Sequence, residues 1–346
     1  MLGIYVDDII CAHNGNMLSW FKDKFTGDGG FNAKHLGKLS WFLGMAVDQS
    51  DKHVVTINQS QYIDKLIKRF MPYKEGRKIE MSMPCNPTTF QQLSVAQSEN
   101  ERARAKKLPY LELIGSLLYL STMTRPDIAY HMSVLCSFMH DPSCACFDAA
   151  MSVLLFVHGT NHYHLSYNGT NDGPPSLPHL NDHIKNNKGL IGYSDASWHK
   201  SDELGYDMFG YCVFMYGGLI SFAAKRLKVI ALSSAEAEYA AASYASKEVM
   251  FVRNVCDSLE IKLNGPTILA VDNEAAIKIA DNRGVTARNK HFQDAVHYIR
   301  HLIDFNYIRL AFVRTNNQRA DGFTKPLAKP QFREWCKYLI NGVLLG

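Results

Sequence analysis

Apolar positions along the chain change spacing several times, and each change predicts a different element. Leu2 to Val6 and Ile9 to Ala12 are short apolar runs meeting at Asp7-Asp8, which predicts a tight β-hairpin. A hairpin is marginal by itself, so its surrounding sheet is expected either from later segments or from outside this chain. Beginning at residue 1, it is a first hint of truncation. Met17 to Phe25 predicts a helix, and Trp41 to Val47 and Val54 to Ile57 predict strands. From Gln59 to Phe70, Tyr62, Ile63, Leu66 and Ile67 recur at helical spacing among charged residues. Residues 71 to 106 carry three prolines and then a polar, charged stretch, as a connector would. Leu108 to Met123, Asp127 to Phe138 and Cys146 to Val157 predict three apolar helices, the second opened by Pro126-Asp127.

From Asn168 to Lys188 the chain turns to Asn, Gly, Pro and Asp, the strongest boundary in the sequence, and a new domain is expected from about Gly189. Leu190 to Ser194, Gly210 to Tyr216, Leu219 to Ala223 and a short run at Val229 to Leu232 predict strands, and Ser234 to Leu259 a long Ala-rich helix. A strand at Ile268 to Val271, helices at Glu274 to Ala280 and Phe292 to Phe305, a strand at Ile308 to Val313 and a terminal helical stretch follow. Three antiparallel strands and then alternating β and α is the order of a ribonuclease H domain. It is not a Rossmann order, and no GxGxxG or Walker loop is present.

Bulk properties narrow this only slightly. With 346 residues, 47% hydrophobic and 20% charged, the chain exceeds one typical domain, and two or three are expected. A formal net charge of +4 neither demands nor excludes a nucleic-acid partner. The 8 cysteines include no CxxC pair, and no leader of signal-peptide form precedes them, which suits a reducing, intracellular compartment. Cys144 and Cys146 lack a second Cys or His pair at finger spacing and are expected to be structural. No apolar run approaches the roughly 20 residues that span a bilayer, so a soluble protein with no membrane partner is expected. Asn168-Gly169-Thr170 matches a glycosylation acceptor, idle without a secretory route.

The candidate chemistry lies in four acids. Hydrolysing a phosphodiester by in-line attack of water calls for a nucleophile made at neutral pH and for stabilisation of a developing alkoxide, which two Mg²⁺ ions supply. Magnesium takes hard oxygen ligands, so several carboxylates must converge. Asp195 at the end of a strand, Glu238 on the long helix, Asp272 ending the next strand and Asp321 opening the final helix come from four elements that can meet at one point. Any one alone reads better as a surface acid, since Asp favours strand ends and caps. Glu236 and Glu238, two apart on a helix, point to different sides, so only one can join a cluster.

The motifs closely resemble those of copia-type retrotransposon polyproteins, in order. Gly192 to Trp198 (GYSDASW), Ala231 to Tyr239 (ALSSAEAEY), Val271-Asp272-Asn273, Lys290-His291 and Ala320 to Leu327 (ADGFTKPL) match the family's ribonuclease H motifs. The resemblance implies Asp195, Glu238, Asp272 and Asp321 as catalytic Mg²⁺ ligands, with Mn²⁺ as an alternative ion, and favours Glu238 over Glu236. Tyr5-Val6-Asp7-Asp8 resembles the polymerase signature, whose paired acids hold Mg²⁺ beneath the primer terminus. Leu36 to Leu39, Phe42 to Gly44, Gln59 to Tyr62, Ile114 to Leu120 and Thr124 to Ala129 follow in family order. The implied fold is α+β and α/β: a truncated reverse transcriptase palm/thumb and helical connection, then a ribonuclease H-like mixed five-stranded sheet with flanking helices. The implied division is the end of reverse transcriptase (1–90), helical connection (91–168), linker (169–188), ribonuclease H domain (189–328) and C-terminal tail (329–346). The family's location would be cytoplasmic, in a virus-like particle, or nuclear.

Departures from the family pattern temper the expectation. The third polymerase acid lies upstream of the hairpin, so Asp7 and Asp8 are expected to be a polymerase remnant without activity from this chain alone. Gly205 to Phe209 replaces a basic, hydroxyl-rich run, and the helix Cys146 to Val157 presents Met151, Ser152 and Leu155 where the family is dotted with basic residues, predicting weakened hybrid binding. The remaining basic groups, Lys225, Arg226 and Lys228 with Arg288, Lys290 and His291, are candidate nucleic-acid-binding residues, although a charge run is more often a solvated face. The leading expectation is Mg²⁺-dependent hydrolysis of the RNA strand of RNA/DNA hybrids. Its rivals are a non-catalytic nucleic-acid-binding or structural remnant of a decayed element, and a segment that completes a polymerase with the upstream part of a related polyprotein.

Overall fold

The computed structural model describes residues 2–13, 17–26, 30–31, 33–74, 83–84, 86–198, 207–228, 231–281 and 293–341. Strands β1 (Leu2–Tyr5) and β2 (Asp8–Cys11) pair antiparallel, with Tyr5 opposite Asp8. The turn therefore falls on Val6 and Asp7 rather than on Asp7-Asp8, and Val6 takes a φ of 50°, uncommon for a β-branched residue. Among the described residues no further strand joins this hairpin, and Leu2, Ile4, Tyr5 and Val6 are exposed. Helix α1 (Met17–Thr26) follows.

A single strand was expected over Trp41 to Val47. Instead Leu43 and Gly44, both at positive φ, turn the chain between β3 (Trp41–Phe42) and β4 (Met45–Asp48). With β5 (Val55–Asn58) and β6 (Leu165–Tyr167) these form an antiparallel sheet in the order β3-β4-β5-β6. Beside it, α2 (Ser60–Phe70) buries Ile63, Leu66 and Phe70. The expected connector over 71 to 106 contains α3 (Pro87–Gln91) and α4 (Glu99–Ala105), and Met83, Phe90 and Leu93 are buried.

Helices α5 (Tyr110–Met123), α6 (Ala129–Cys136) and α7 (Cys144–Gly159) form a helical block. At its centre Arg125 grips Asp127 with two hydrogen bonds of 2.9 and 2.7 Å. The guanidinium also donates to the Val157 carbonyl and lies over the Phe156 and Tyr163 rings. A buried charge survives only when paired and hydrogen-bonded, which gives this stretch of the sequence an architectural role.

The polar stretch after β6 is more than a bare linker. It contains α8 (Asn181–Asn186), and Leu177, Leu180 and Ile184 are buried. Next come β7 (Ile191–Ser197), β8 (Met208–Met215), β9 (Gly218–Arg226), α9 (Ser234–Ser258), β10 (Thr267–Val271), α10 (Glu274–Asp281), α11 (Gln293–Asp304) and β11 (Ile308–Phe312). Their sheet runs β11-β10-β7-β8-β9, with β7, β8 and β9 antiparallel and β7, β10 and β11 parallel, as the element order implied. The strand expected at Val229 to Leu232 is absent over Ala231 and Leu232, and Val229 and Ile230 lie outside the described residues.

Alternation at period two sends β-strand side chains to opposite faces. Tyr211, Val213, Leu269 and Val271 join α9, α10 and α11 in one core. Tyr193, Cys212, Phe214, Ile268 and Ala270 join the helical block in the other. The expected tail is a helix, α12 (Lys329–Leu339), which inserts Phe332, Trp335, Cys336 and Leu339 into that second core.

Candidate metal centre

Parallel strands β7 and β10 are neighbours and both end at the same edge of the sheet, so a residue at each C-terminal end lands beside the other. Asp195 sits near the end of β7 and Asp272 directly follows β10. Glu238 comes from the first turns of α9, which packs across β7 and is started by a cap. The Ser233 hydroxyl accepts from the Glu236 N–H, and the Glu236 carboxylate accepts from the Leu232 N–H at 2.8 Å. Glu236 is thus occupied as a helix start, and Glu238 is the one whose carboxylate reaches the strands.

Carboxylate oxygens of Asp195, Glu238 and Asp272 all lie within 4.8 Å of one another. Asp195 and Glu238 are buried, 4% and 7% exposed, and Asp272 is half-buried. Burial raises all three acids above the ordinary carboxylate range. The charge of Asp321 adds to the rise at Asp195 and Asp272, and those of Asp195 and Asp272 add to it at Glu238. The buried Oε2 of Glu238 has no hydrogen-bond partner.

Asp321 approaches from a different element than expected. It opens a single 3-10 turn, Asp321–Phe323, eight residues before α12 begins. The turn is seated by Phe323, whose ring stacks on Phe222 and meets Trp335 edge-on. A Cβ on Gly322 would come within 2.4 Å of the Trp335 ring, and one on Gly210, opposite Asp195, within 2.4 Å of the Phe323 Cβ. Both glycines answer to close packing: Trp335 lies against Gly322 of the turn, and Phe323 of the turn lies against Gly210. Asp321 lies against the ammonium of Lys325.

Four further residues complete the centre. The Thr324 hydroxyl donates to Asp195 Oδ2, and the Thr315 hydroxyl donates to Asp272 Oδ2 at 2.9 Å. Buried Gln318 donates to the Ser194 carbonyl at 2.9 Å and accepts from the Ala320 N–H at 3.1 Å, tying the backbone before Asp195 to that before Asp321. Burial pulls the Lys325 ammonium down, but its ion pair with Asp321 and the charges of Asp195 and Asp272 push it up overall. No spacing rule finds these four, because their partners lie about 40 to 130 residues away or in an irregular loop; only the run Ala320 to Leu327, singled out as a motif, touched two of them.

Other candidate residues are elsewhere. Asp7 and Asp8 are exposed on the β1–β2 hairpin, which no other strand joins among the described residues. Lys225 and Arg226 end β9 and Lys228 follows it; Lys225 and Lys228 are exposed. Arg288, Lys290 and His291, and residues 205 and 206 of the replaced run, lie outside the described residues. Met151, Ser152 and Leu155 are buried in α7 and present no surface to a nucleic acid.

Strand order 5-4-1-2-3 within the large sheet, with acids at the ends of its first and fourth strands and on its first long helix, defines a ribonuclease H-like domain. The chain is 28% identical over 343 residues to the Retrovirus-related Pol polyprotein from transposon TNT 1-94 of Nicotiana tabacum, covering 99% of this chain and 24% of that protein. To that from transposon RE1 of Arabidopsis thaliana it is 29% identical over 342 residues, covering 96% and 21%. Its similarity to copia-type retrotransposon Pol polyproteins thus runs along nearly the whole chain, and its C-terminal part has the ribonuclease H-like fold. It spans only about a quarter to a fifth of the length of these relatives. The crystal structure of ribonuclease H1 from Halobacterium salinarum aligns with 39% of this chain and 93% of its own, at 16% identity and a TM-score of 0.31. No family model matches the chain.

Proposed function

We propose that this chain hydrolyses the RNA strand of RNA/DNA hybrids with Mg²⁺, or Mn²⁺, held by Asp195, Glu238, Asp272 and Asp321. The observation that carries the reading is the convergence of three carboxylates within 4.8 Å from three separate elements, with one buried oxygen left without a partner. Three repelling acids in a poorly solvated site fit a divalent cation, and an all-oxygen donor set suits a hard one. Bound there, such ions supply an activated water and stabilise the leaving oxygen. Thr324, Thr315 and Gln318 keep the acids in place, and exposed Lys225 and Lys228 are available to backbone phosphates.

The exposed apolar hairpin supports a second partner, the upstream polymerase segment of a polyprotein, which would pair strands beside Asp7 and Asp8. The nuclease reading is tested with a labelled RNA/DNA hybrid. Mg²⁺-dependent cutting of the RNA strand is expected from this chain and its loss from Asp272→Asn. Salt-sensitive hybrid binding by both proteins, without cutting by either, would instead identify a binding remnant.

A further inference from the structure

Four acids and a lysine share one small volume, and the lysine belongs to none of the ligand roles. Lys325 follows Asp321 by four residues and Thr324 by one, so the turn that delivers Asp321 also delivers an ammonium. Its side chain is about a quarter exposed, and its charge acts on Asp195, Glu238 and Asp272 as well as on Asp321. An ammonium carries three donors on a flexible stem and holds its partners as a point charge, which lets it move without rebuilding the site.

We propose that Lys325 is the resident counter-ion of the carboxylate cluster, holding the acids together without metal and leaving them when a divalent cation enters. This rests on the metal-dependent reading above and extends it to how the site is kept folded between ions. The two cations compete because they neutralise the same charges: a divalent ion placed among these oxygens raises the local positive charge, and the ammonium is then repelled toward the open side of the pocket. Lys325 is a positioning residue here, acting on the reacting atoms through the ligands.

The test compares the wild-type chain with Lys325→Met and Lys325→Arg by calorimetric titration of Mg²⁺ and Mn²⁺ and by thermal unfolding in EDTA and in saturating metal. For Lys325→Met, unfolding several degrees earlier in EDTA is expected, with the deficit closing when metal is added. Its metal affinity should rise about tenfold, the scale on which one neighbouring charge shifts a buried ionic equilibrium. Lys325→Arg, keeping the charge, should stay near wild type in EDTA. If Lys325→Met folds only with metal, that supports the exchange, and failure to fold in either condition overturns it. Equal or weaker metal affinity with a deficit that metal does not close would also overturn it while leaving the proposed function intact. Absence of metal binding by every form would remove the proposed function and the exchange together.

Discussion

Two glutamates one turn into α9 look interchangeable in sequence, and the fold gives them opposite work. Glu236 satisfies the Leu232 N–H at the helix start, while Glu238 is held among Asp195 and Asp272 with an unpaired oxygen. Removing a cap costs about 1 kcal/mol. Removing a buried, repelled charge relieves the fold, because function and not stability keeps it there. Glu236→Ala is therefore expected to lower the urea midpoint and keep metal binding. Glu238→Gln should raise the midpoint in EDTA and lose metal binding. Isothermal titration and urea melts of the two variants decide the matter, and the reverse pattern would exchange the two assignments. Sequence limited the cluster to one of the pair through helical periodicity but could not choose without the resemblance, since capping-box and ligand readings use the same residue type.

At the scale of elements, legibility followed the length and regularity of the pattern. Helix α9 and strands β7, β8 and β10 were found within about three residues because their periods are sustained. Strand β6, three residues long, has no period to read, and the β3–β4 turn hid in an apolar run until Leu43 and Gly44 took positive φ. Helix α12 was visible, but its burial was not, because what covers it comes from residues two hundred positions earlier. That junction holds a titratable group. His131 of α6 is buried between the rings of Phe90 of α3 and Phe332 of α12, and its Nδ1 has no partner. Burial lowers its pKa to about 3 from an ordinary value of 6.5. In the fold it stays neutral, whereas the unfolded chain binds a proton below pH 6.5. Stability tied to this group is thus complete above 6.5 and drains as pH falls toward 3, at about 1.4 kcal/mol per unit. Urea melts of the wild type and His131→Leu from pH 7.5 to 5 should show the steeper loss in the wild type; parallel slopes would mean that His131 is protonated in the fold.

For the whole molecule, the polar stretch before Gly189 suggests that the ribonuclease H-like unit can be cut free, and the packing argues otherwise. One face of its sheet carries α9, α10 and α11, but the opposite face puts Tyr193, Phe214, Ile268 and Phe323 into the core shared with α6, α7 and α12. The turn bearing Asp321 rests on that second core through Phe323, so the position of one acid depends on residues far outside the unit. A fragment of residues 189–346 exposes this face, and each large apolar side chain so released forfeits about 1.5–3 kcal/mol of burial. The full chain is expected to unfold in one transition that far-ultraviolet circular dichroism and tryptophan fluorescence report together. The fragment should melt at a lower urea concentration and bind a hydrophobic dye. Its Mg²⁺ affinity should also fall, because Asp321 loses its seat while Asp195, Glu238 and Asp272 keep α9 and the strands that hold them. Equal midpoints and equal affinity would show instead that α12 alone completes the second face, and that the helical block is attached to the site without supporting it.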